Sequence, residues 1–161
     1  MASKKQSSPI GGIILAVLML LALLNSAYFF VFTAKFEILD WLAFNACSVA
    51  IIIYLFCFIL FLISKKDFFI AIAILPLYYY GTMGLFVISW DAENIITQVT
   101  HIIITLNVIW ILSVLLKKFK FESLGKGLLL GMLLFVPMFV VIQQYSQQHM
   151  DEFLQLLQNV Q

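Results

Sequence analysis

Residues 10–33, 41–64, 68–90, 95–116 and 127–142 form five apolar runs, and His101 is the one acidic or basic side chain within them. Hydrocarbon offers the backbone no water to bond. A run of this kind therefore crosses a bilayer as a helix, which satisfies its own amides. Each crossing takes about 20 apolar residues. Five of them account for about 100 of the 161 residues and leave the remainder for short connections and tails. With 64% hydrophobic and 11% charged residues, the composition excludes a water-soluble globule. The length leaves no room for a large transporter built from two repeats in one chain. The expectation is an all-α integral membrane protein: a single domain over 1–161, with five antiparallel transmembrane helices and a C-terminal amphipathic helix. The fifth run is short for a span, and Gln143, Gln144 and Tyr145 are expected to complete it in the interface.

The lysines orient the bundle. Lys4 and Lys5 precede the first run, Lys65 and Lys66 follow the second, and Lys117, Lys118, Lys120 and Lys126 follow the fourth, so eight of the nine basic residues fall on one side. The other side keeps Lys35 together with Glu37, Asp40, Asp91, Glu93, Asp151 and Glu152. Positive charge is retained in the cytoplasm, which predicts a cytoplasmic N-terminus, an external C-terminus and a location in the plasma (inner) membrane. The first run exceeds the apolar core of a secretory signal, and Asn25-Ser26-Ala27 does not give small residues at both key positions before a cut. It is read as a signal anchor.

Residues 145–161 differ in kind. At helical spacing Met150, Phe153, Leu154, Leu156, Leu157 and Val160 share one face, and Asp151, Glu152, Gln155, Gln158 and Asn159 the other. No lysine on the polar face draws this helix to anionic lipid. It is expected either to lie on the outer surface, finishing the fold, or to dock on a protein.

Polar side chains inside the runs are lopsided. Asn25, Ser26 and Tyr28, then Asn45, Cys47 and Ser48, then Tyr78, Tyr79, Tyr80, Thr82 and Ser89, fall in the middle and external parts of their runs. The cytoplasmic halves are nearly free of hydrogen-bonding groups. On the fourth run Asn94, Thr97, Gln98, His101 and Thr105 occupy a stripe about 100° wide at 3.6 residues per turn. A polar stripe in hydrocarbon must meet protein or water. We therefore expect a pocket open to the outside with His101 near its floor and Asn45, Ser48, Tyr79, Thr97, Gln98 and Thr105 as lining, set against the alternative that these groups satisfy one another between helices. Thr100 and Asn107 form a second edge, expected to bond a neighbouring helix.

Pro76 and Pro137 each remove a backbone donor inside a run and are expected to kink it. Gly81 and Gly84 permit close helix approach, as does the pair Gly127 and Gly131, with Gly125 just before it. A broken-helix binding site at Pro76 is the alternative to simple packing.

Several chemistries lack their residues. No carboxylate lies at depth for acid–base work, and no serine has an evident base besides His101. Cys47 and Cys57 are ten residues apart, which is neither a redox nor a metal-ligand spacing, and they are read as buried small hydrophobes. The absence of arginine removes bidentate recognition of phosphate or carboxylate. No phosphate-binding glycine loop or basic patch for nucleic acid occurs. No metal or other cofactor is expected. A monomeric ion channel is disfavoured because the cytoplasmic halves are apolar. The reading is a non-catalytic multi-pass protein, a subunit or accessory factor that binds a lipid-like ligand or a partner protein from the external side. Its expected partners are membrane lipids and another membrane protein or a second copy. A small transporter component, or a lipid enzyme using His101, are the contrasting possibilities.

Overall fold

The computed structural model describes residues 10–92, 94–117 and 119–158, with backbone only from residue 156. Most of these residues are helical, with no strand among them. Five helices are long and apolar enough to cross a membrane: Ile10–Thr33, Ala46–Ser64, Phe68–Val87, Ile95–Lys117 and Phe121–Gln148. They are called the first to fifth spans below. A short helix, Ile38–Phe44, precedes the second span, and a tail helix, Met150–Gln158, follows the fifth.

The boundaries depart from the hydropathy pattern in four places. The second run is interrupted at Asn45, whose φ of −119° and ψ of 62° lie outside the helical region, so its first turns form the separate helix Ile38–Phe44. The third span stops at Val87, because Ile88 is extended. The fifth span is no short helix: it starts at Phe121, takes Lys126 into its first turns beside Glu122 (Nζ to Oε1, 2.5 Å), and runs unbroken to Gln148. The tail helix consequently begins at Met150 rather than Tyr145.

Contacts between spans sort into two ends. At one, Gly12 lies under the Trp110 ring, where a Cβ would stand 2.3 Å from Cζ2, and Lys120 pairs with the buried carboxylate of Asp67. At the other, the Tyr145 hydroxyl donates to Asp40 (2.8 Å) and the Ser146 hydroxyl to the Ala43 carbonyl (2.9 Å). Between the ends lies an apolar core that includes Met19, Ile51, Tyr54, Ile70, Leu77, Ile104 and Ile111, each almost fully buried.

Two acids share the lysine-rich end, Asp67 and Glu122, and both are matched by lysines. The Asp67 side chain is 2% exposed and that of Lys120 37%. Lys120→Met removes a cation from a buried carboxylate. We expect a loss of roughly 1–3 kcal/mol, less than a fully buried pair because the lysine is partly solvated, read as earlier thermal unfolding in detergent with Lys126→Met as the near-neutral control.

The third span is assembled from pieces. Helical turns Phe68–Ile72 and Ile74–Pro76 flank Ala73, a π-helical segment runs Leu77–Thr82, and Gly84–Val87 closes it. Proline at 76 cannot donate to the Ile72 carbonyl. The fifth span covers this place: a Cβ on Gly131 would lie 3.0 Å from the Ile72 oxygen, and one on Gly127 would lie 2.4 Å from the Ala71 Cβ. The small-residue pair thus lets the fifth helix lie against backbone loosened by Pro76. Pro137, in contrast, sits exposed within a continuous helix.

Candidate functional site

The site is built around a break and two widened helices. The end of the first span is π-helical over Tyr28–Thr33, as is the third span over Leu77–Thr82. A π turn adds a residue per turn and widens the helix, a device common at functional sites. Both segments, together with the break at Asn45, surround two cavities of about 400 and 560 Å³. Phe30, Asn45, Cys47 and Thr97 line both, so the two adjoin at the break.

The smaller cavity lies between the first, second and fourth spans, where Ser26 gathers hydrogen bonds. Its hydroxyl oxygen accepts from Asn45 Nδ2 (2.6 Å) and Trp41 Nε1 (2.9 Å), and lies 3.2 Å from Ser48 Oγ. The Asn45 Oδ1 in turn accepts from the Cys47 thiol at 2.5 Å. The asparagine that breaks the helix is therefore fixed at both ends of its amide, which holds the cavity wall open without a regular helical turn.

The larger cavity lies between the second, third and fourth spans and is lined by Tyr79, Tyr80, Gly84 and His101 among others. Phe139 of the fifth span braces both tyrosines, parallel to Tyr79 at 4.9 Å and edge-on to Tyr80 at 4.7 Å. His101 is 3% exposed, its ring pressed on Gly84, where a Cβ would stand 2.5 Å from Cε1. Its Nδ1 has no hydrogen-bond partner. One turn deeper, Ile104 occupies the space that a side chain at 81 would take, 2.1 Å from the Cβ position. Gly81 and Gly84 are the reason the polar face of the fourth span can lie so near the third.

Of the residues expected to form a pocket, Asn45, Ser48, Tyr79, Thr97 and His101 line one or both cavities. Gln98 and Thr105 do not. Gln98 is buried and donates from Nε2 to the Ile88 carbonyl (2.7 Å), tying the fourth span to the extended end of the third. Thr105 bonds the His101 carbonyl (2.8 Å) and Thr82 Oγ1 (3.3 Å). The second polar edge does not reach a neighbour: Thr100 and Asn107 bond back to the carbonyls of Ile96 and Ile103 in their own helix.

Sequence reasoning passed over Ser26 and Trp41 as site residues and took Cys47 for a buried apolar filler. Cys47 is half-buried, faces both cavities and holds Asn45. Ser26 carried a signal, a hydroxyl one residue from Asn25 in an apolar helix, but its part as the common acceptor depends on the first span meeting the short helix, the Asn45 break and the second span. Cys57 is buried in the core as expected.

The tail helix docks on its own chain. Phe153 stacks on Phe44 at 3.9 Å and packs against Phe36 at 5.2 Å. Met150 and Leu154 stay exposed, and the side chains of Leu156, Leu157 and Val160 lie outside the described residues.

No protein-family model, curated protein or solved structure matches the chain.

Proposed function

We propose that the protein is a non-catalytic binding component of the plasma (inner) membrane, a subunit or accessory factor that receives a lipid-like ligand from the external side. The observation that carries this reading is the junction of two cavities at the Asn45 break, each within the 300–1,000 Å³ typical of ligand sites. Sidedness follows from the lysines: the end bearing Lys65, Lys66 and Lys117 is cytoplasmic, and the end bearing Asp40 and the tail is external. The cavities lie at the external end. Their rims reach lipid, since Tyr28, Met83 and Val87 are exposed lining residues. A partner protein or second copy would meet the external end, where Met150 and Leu154 are left uncovered beside the docked Phe153.

Single cysteines at Ser26, Thr97 and Thr100, introduced after Cys47→Ala and Cys57→Ala, test the pocket. Labelling of all three by a membrane-impermeant thiol reagent from outside, and protection by added lipid, is the expected result. Failure of all three to label would end the pocket reading.

The pieced-together third span favours a second reading, a component of a transporter, because broken helices at mid-membrane supply backbone groups to cargo. Pro76→Ala then abolishes flux in reconstituted liposomes, whereas a binding component shows no flux with either residue.

A further inference from the structure

Resting on that pocket, we infer that its ligand is an uncharged amphiphile whose head group carries both a hydroxyl and a carbonyl oxygen, seated with that head on His101. Among the described residues lining the two cavities there is no aspartate, glutamate, lysine or arginine. A phosphate or ammonium group brought here leaves water without an opposite charge to meet it, which disfavours ionic head groups strongly. What the walls do offer is neutral: the Asn45 amide, the Thr97 hydroxyl, the tyrosines and the His101 ring.

His101 adds an independent indication. Its ring is buried, lines the larger cavity, and keeps Nδ1 without a partner. A buried polar nitrogen lacking a partner is costly and rare. An imidazole nitrogen donates in one tautomer and accepts in the other. A head group with a carbonyl and a hydroxyl satisfies it either way, taking the N–H on the carbonyl or giving its own O–H to the bare nitrogen. The aromatic walls, Phe30, Phe44, Tyr79 and Tyr80, accommodate the apolar body. Exposed Met83 and Val87 at the rim place the entrance towards the surrounding chains, by which a tail would leave.

A matched pair of lipids decides the matter. Dioleoylglycerol and dioleoylphosphatidylglycerol have the same acyl chains and differ by the charged phosphoglycerol. Full-length protein in mild detergent is titrated with each and retained lipid is counted by native mass spectrometry. We expect dioleoylglycerol to bind at least tenfold more tightly, and both His101→Phe and Met83→Trp to weaken it at least tenfold. Met83 is an exposed rim residue, so Met83→Trp fills the entrance without entering the core, and its fold is checked by an unchanged unfolding temperature. Equal or preferred binding of the phosphatidylglycerol, still lost on Met83→Trp, overturns the uncharged-ligand inference and leaves the binding pocket standing. Retention of neither lipid, or retention indifferent to Met83→Trp, overturns the pocket as well.

Discussion

Gly127→Leu is expected to separate the third and fifth spans and to cost more than any other single change considered for this chain. A Cβ at 127 would lie 2.4 Å from the Ala71 Cβ and 3.0–3.1 Å from the Ala71 carbonyl carbon and the Ile72 nitrogen, so the obstruction is backbone and cannot rotate away. Overpacking a core typically costs about 1–3 kcal/mol, and a leucine set against backbone goes beyond the upper figure. In lipid no hydrophobic force pulls the helices together, and close packing is what is lost. Thermal unfolding in detergent should show Gly127→Leu far below the parent, with loss of the monodisperse peak. Gly125→Leu is the control: nothing stands within 4 Å of a Cβ there, so it should unfold with the parent. Equal behaviour of the two variants would remove the helix contact as the explanation.

Phe153→Ala is expected to release the tail and, through it, the wall of the site. Phe153 stacks on Phe44, a residue of the larger cavity and the immediate neighbour of the Asn45 break. Burying a phenylalanine contributes about 1.5–3 kcal/mol and an aromatic pair about 0.5–1.5 more. Because Phe153 is only part-buried, we take about 2 kcal/mol for the whole, which is roughly a thirtyfold shift in docking equilibrium. The expected readout is a rise of that order in the rate at which Cys47 reacts with a small maleimide, in protein carrying Cys57→Ala. The bonds from Tyr145 and Ser146 to the 40–43 segment remain, so the bundle should stay folded. An unchanged Cys47 rate would show that the tail does not brace the cavity.

How much was legible beforehand divides along the range of the interactions. Five helices long and apolar enough to cross a membrane follow from apolar runs free of charge, because in hydrocarbon the penalty for an unpaired amide dominates every local preference. The stripe holding His101 and Gln98 was also legible, since 3.6-residue spacing alone places them together and neither side chain is turned to lipid. Thr97 and Thr105 share the stripe yet part company, one at a cavity rim and the other bonded to Thr82. Spacing says which residues share a face and not how far along that face the next helix stops.

The break at Asn45 lay inside an unbroken apolar run, and hydropathy has no term for it. Asn45 leaves the helix where its amide is held between Cys47 two residues on and Ser26 of the first span, and the bond to Ser26 exists only once the spans are packed. From its sequence alone this chain determines five helices long and apolar enough to cross a membrane and which of their faces are polar, because run length and helical spacing are local properties. The tertiary structure alone decided which polar groups satisfy one another and which are left facing a cavity, because that depends on partners brought together from separate helices.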